Sequence, residues 1–100
     1  MVKAKWIIAV APPARYGAPF DIPEWAYGRA CQTARRYRQR GWQACVVPGN
    51  EVRVPWFVRG FARGRWERLD ELQVMARSSD EALMLARLKD EGYDETQRVR

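Results

Sequence analysis

Apolar residues fall along the chain in short runs separated by well-marked stops. Residues 5–11 form a continuous apolar, β-branched run that ends at Pro12-Pro13, the pattern of a buried strand. A Gly- and Pro-containing loop over 15–20 follows. Asp21 and Glu24 are then spaced as a capping box, with Phe20 and Trp25 at the positions of a hydrophobic staple and Pro23 in the first turn. This predicts a helix from there to about Arg40, stopped by Gly41. Tyr27, Ala30, Cys31, Ala34 and Tyr37 recur at helical spacing and mark its inward face, while Arg29, Gln32, Thr33, Arg36 and Arg40 point out.

Residues 42–47 read as a second strand, 48–50 as a turn, and 51–54 alternate into a third. Pro55 is expected to interrupt that strand or hold it at a sheet edge before 56–58 continue it. Residues 65–77 fit two readings. Leu72, Val74 and Ala76 alternate as in a strand, whereas Trp66, Leu69, Leu72 and Ala76 also line up on a helix; the strand is favoured for 71–77. Ser78 and Glu81 form a second capping box, opening a helix that runs to Glu91 and ends at Gly92. Its core side is Ala82, Met84, Leu85, Ala86 and Leu88, and 96–99 give a short last strand. The order is β-α-β-β-(β)-α-β. The expected class is α+β, with two helices on one face of a mostly antiparallel sheet, ferredoxin-like or a variant. The length suits a single compact domain over 1–100, and no internal repeat stands out.

Composition narrows the chemistry. With 47% hydrophobic residues and five Trp, the chain is a folded domain rather than a disordered tail. It has no His, which removes histidine bases, triads and zinc triads. Its two Cys, Cys31 and Cys45, form no CxxC pair and are expected to be reduced in the cytoplasm. The N-terminal apolar run is too short for a membrane span, and no signal-peptide pattern surrounds it. No phosphate-loop, dinucleotide or HExxH motif occurs, so no cofactor, no metal and no catalytic group are expected.

Charge supplies the positive signal. The net charge is +6, and 13 of the 18 Lys/Arg lie in residues 1–68. One cluster, Arg35, Arg36, Arg38 and Arg40, closes the first helix, where cations also complement the helix dipole. A second, Arg53, Arg59, Arg63, Arg65 and Arg68, is interleaved with Trp56, Phe57, Phe61 and Trp66. Arginines for phosphates beside rings for bases are what a nucleic-acid surface needs. Within this cluster, Arg59-Gly60-Phe61-Ala62 resembles the first half of the RNP1 pattern of RNA-recognition motifs, and Trp66 supplies an aromatic at its last position. Arg63 and Gly64 depart from that pattern, so the eight-residue likeness implies exposed rings on a strand, not membership.

The expected function is therefore a small non-enzymatic protein binding DNA or RNA. Arg35, Arg36, Arg40, Arg53, Arg59, Arg63 and Arg65 would meet phosphates, and Trp56, Phe61 or Trp66 would meet bases. The alternative is an inhibitor or regulator, of the kind phages and plasmids use as accessory factors, docking on a protein through the same Arg/Trp patch. A homodimer through an open sheet edge is compatible with either.

Overall fold

The computed structural model describes residues 4–62 and 67–99. The chain divides into two compact units, Met1–Glu51 and Val52–Arg100. The first contains β1 (Trp6–Ala11), β2 (Phe20–Glu24), α1 (Tyr27–Gln39) and β3 (Gln43–Pro48). The second contains β4 (Val54–Gly60), β5 (Leu72–Ala76), α2 (Ser79–Arg87) and β6 (Tyr93–Arg98). The class is α+β, as expected. The strands pair as two three-stranded antiparallel sheets, ordered β2-β1-β3 and β5-β4-β6. The order is thus β-β-α-β twice over, not the ferredoxin-like order anticipated. The repeat was invisible in the sequence because the two units share a topology and only scattered residues.

Those residues lie where helix meets sheet. Ala30 and Ala34 of α1, and Ala82 and Ala86 of α2, are fully buried. In the first unit they pack with Ile8, Val10 and Ala44, flanked by Trp6, Ile22, Tyr37, Trp42 and Val46. In the second they pack with Val58, Ala76 and Tyr93, flanked by leucines and by Trp56. An arginine clips each helix end to the following strand: Arg38 Nε donates to the Ala44 carbonyl and Arg87 Nε to the Tyr93 carbonyl, both at 2.9 Å.

Four expectations need correction. Pro55 neither interrupts its strand nor holds it at an edge: it lies within β4, the central strand of its sheet, opposite Met75. Residues 20–24 form the edge strand β2 rather than a helix start. Five residues gain pairing with β1, from Val10↔Phe20 to Trp6↔Glu24, and Pro23 is tolerated because β2 is an edge. The helix begins one turn later, and the Glu24 carboxylate accepts from the Trp25 and Ala26 amides ahead of it. Tyr27, placed inward by periodicity, is consequently 56% exposed. The second helix stops at Arg87, leaving Leu88 exposed. Gly92 is not its left-handed terminator. It is a close approach, where a Cβ would stand 1.9 Å from the Phe61 carbonyl oxygen. The strand at 71–77 and the Ser78 cap are as expected, with Ser78 Oγ accepting from the Glu81 amide at 3.2 Å.

Glu81 departs from a simple capping box. Its carboxylate accepts from the Arg77 amide at 2.7 Å and pairs with the Arg77 guanidinium, and the two side chains are only 3% and 7% exposed. Removing one member of a buried pair strands the other charge, so Glu81→Ala should lower unfolding free energy by about 3–5 kcal/mol, read by urea denaturation. A loss below about 1 kcal/mol, the range of exposed pairs, would mean the pair is not truly desolvated. Tyr93 gives a pH signature. Its hydroxyl donates to the Asp70 carbonyl at 2.6 Å. Burial first, then Asp70 and Asp90, raise its phenol above 10.0. The folded state holds that proton more tightly than the unfolded chain, so the stabilisation is whole below pH 10.0 and is lost as pH rises through the folded value. Denaturation midpoints should fall above pH 10.0 more steeply in the wild type than in Tyr93→Phe.

Candidate nucleic-acid interface

Within the anticipated Arg/aromatic surface of the second unit, Arg59 is already paired with a carboxylate. Arg59 projects from β4 and its Nε lies 2.5 Å from Glu71 Oε2. That hydrogen bond, more than the charge of Glu71 or of Glu95, holds the guanidinium above its ordinary value. Glu95 is also its register partner on β6. Phe61 is 44% exposed, with Arg68 Cζ 5.7 Å from its ring centroid. Together these residues line a groove of about 360 Å³ that also takes in Asp94. Trp56 is partly buried against the core, and its Nε1 donates to the Ala76 carbonyl at 3.1 Å. Arg53 lies exposed between β3 and β4. Arg63, Arg65 and Trp66 lie outside the described residues.

The first unit differs. Counted over residues 1–51, it holds eight Lys/Arg against three Asp/Glu, or +5; residues 52–100 hold ten against nine, or +1. Residues 25–50 include five arginines and no acid. Arg29, Arg35, Arg36 and Arg40 are exposed on α1 or at its end. Among the described residues, none of Arg29, Arg35 and Arg36 pairs with a carboxylate. Arg38 is the exception in this cluster, being committed to the Ala44 carbonyl.

An aromatic cluster that the sequence reading missed stands at the C-terminal end of this helix. Gly41 has φ +82°, and its amide donates to the Arg38 carbonyl at 2.9 Å while Trp42 N–H reaches the Tyr37 carbonyl at 3.1 Å. This Schellman stop brings residue Trp42 back over Tyr37, where the rings stack with centroids 5.5 Å apart. Tyr16, from a 3₁₀ turn over Ala14–Tyr16, lies 5.7 Å from Trp42 on a shallow tilt. Phe20 meets Tyr37 edge-on at 6.1 Å. Two guanidiniums flank the rings: Arg40 Cζ is 5.3 Å from Tyr37 and Arg15 Cζ 4.9 Å from Tyr16. The recognisable signal was local, a glycine followed by an aromatic five residues after another aromatic.

No family model matches the chain, and no curated protein or solved structure does either. Among the described residues, no group of three or more His, Cys, Asp or Glu could hold a metal ion, and no helix is long and apolar enough to cross a membrane.

The helix stop yields a direct check. Gly41→Ala forces an L side chain into the left-handed region at about 1–2 kcal/mol. Stability should fall by that amount, and the near-ultraviolet circular dichroism of the stacked Trp42–Tyr37 pair should weaken. An unchanged spectrum with unchanged stability would contradict the stop described.

Proposed function

We propose that the protein is a small, non-enzymatic, cytoplasmic nucleic-acid-binding protein, with its contact surface on the first unit. The observation that carries this reading is the acid-free arginine face of α1, with Arg29, Arg35, Arg36 and Arg40 exposed. A guanidinium already bridged to a carboxylate must break that bridge before meeting a phosphate, whereas an unpaired one releases only loosely held counterions. On this ground Arg59 contributes less than was expected of it, and Arg36 more. Neither Cys31 nor Cys45 is in a disulfide, which accords with a reducing compartment.

A second reading applies to the second unit alone. The groove of Arg59, Phe61, Arg68, Glu71, Asp94 and Glu95 offers both signs of charge around an exposed ring, which suits a protein surface better than a polyanion.

The test is fluorescence anisotropy of a labelled oligonucleotide, single- or double-stranded. Four phosphate contacts should cost about 50-fold in single-strand affinity between about 50 and 200 mM salt, and about 150-fold on duplex. Replacing Arg29 and Arg36 with Glu should abolish most binding and flatten the salt slope, while Arg59→Ala should change little. Absence of binding to both strand forms at the lower salt would overturn the proposal.

A further inference from the structure

The cluster at the end of α1 is larger than closing the core requires. Tyr37 and Trp42 do close it, since both pack against the buried cluster of the first unit. Tyr16 and Phe20 do not: they are 58% and 39% exposed, yet each is held against one of those rings. Exposed rings fixed in this way lose little freedom on meeting a flat partner. The flanking Arg15 and Arg40 guanidiniums carry positive charge to the rim, and Arg40 follows directly from the acid-free arginine face.

Resting on the nucleic-acid reading above, we propose that this cluster is a stacking platform for unpaired bases, and that the ligand is a single strand rather than a duplex. In a duplex the base faces are already stacked on one another, so a row of rings has nothing to engage. A single strand can turn its bases onto Tyr16 and Phe20 while its backbone lies along Arg15, Arg40 and the helix. Stacking engages the π-face that every base has, so the platform tolerates any sequence of single strand.

The experiment compares a single strand of about 12 nucleotides, within the site sizes of known single-strand binders, with the duplex of the same sequence. The protein is used whole, as wild type, Tyr16→Ala and Trp42→Phe. Tyr16 sits on an exposed turn, so its removal should leave the fold intact, as thermal melting by circular dichroism will establish. The wild type should prefer the single strand. Tyr16→Ala should weaken that binding about 5- to 150-fold, the range of one lost stacking contact, without changing the salt slope or any duplex affinity. Single-strand quenching of tryptophan fluorescence should diminish in Trp42→Phe. If both strand forms bind and Tyr16→Ala affects neither, or both equally, the platform is overturned while the basic helix face stands. Undiminished quenching in Trp42→Phe places the bases elsewhere and also overturns the platform. If neither strand form binds at about 50 mM salt, where such contacts are strong, the wider reading fails with it.

Discussion

Two alanines one helical turn apart set the distance between each helix and its sheet. Ala30 and Ala34 in the first unit, and Ala82 and Ala86 in the second, are wholly buried, so at these positions the helix presents only methyl groups to the strands. Ile8 and Val10, or Val58, fill what remains. Interiors pack to crystal-like density, and the buried cluster of the first unit holds no ring among its residues. The large aromatics of the first unit, Trp6, Tyr37 and Trp42, therefore collect at the margins of the core. Once there, each is half-covered, and a neighbour that stacks on it becomes a surface feature. The aromatic cluster at the end of α1 follows from the closeness of the helix.

The same local sequence has a different outcome in the second unit. Gly41-Trp42 and Gly92-Tyr93 each lead from a helix into the last strand of its unit. After α1 the glycine is left-handed and one residue past the cap, so the aromatic folds back on the helix end. After α2 the chain continues through Asp90, whose Oδ1 accepts the Gly92 amide at 2.8 Å, and Tyr93 turns into the core to reach Asp70. One glycine answers a dihedral constraint and the other a close backbone contact. Only the first leaves its aromatic available at the surface.

Much of the fold was legible from short-range patterns. The buried first strand, the body of both helices, the stop at Gly41, the Ser78 cap and the strand at 72–76 each follow from periodicity or a capping residue. What failed was whatever depended on a partner far away in sequence. Asp21 and Glu24 satisfied a capping rule, but the ladder to β1 outweighed it. Arg59 looked free because Glu71 and Glu95 are 12 and 36 positions distant, and Trp56 looked available because its acceptor, Ala76, is 20 away. The interleaved arginines and aromatics of 53–68 gave the denser linear signal. The cluster of Tyr16, Phe20, Tyr37 and Trp42 is spread over a 3₁₀ turn, a strand, a helix and the link that follows it, and has no period at all.

The repeated β-β-α-β arrangement explains how two such different surfaces can coexist in 100 residues. The core of each unit draws on alanines on the inner face of the helix and apolar residues on the strands. The outer helix face is solvated in both units and contributes little to stability whatever its charge. In α1 that face carries Arg29, Arg35 and Arg36 without acids; α2 has Asp80 and Arg87 there, with Glu81 drawn inward to Arg77. A scaffold used twice can thus concentrate charge in one copy and cancel it in the other with no conflict between folding and electrostatics. The asymmetry of +5 against +1 is hidden in the overall charge and becomes visible only once the boundary at Glu51 is drawn.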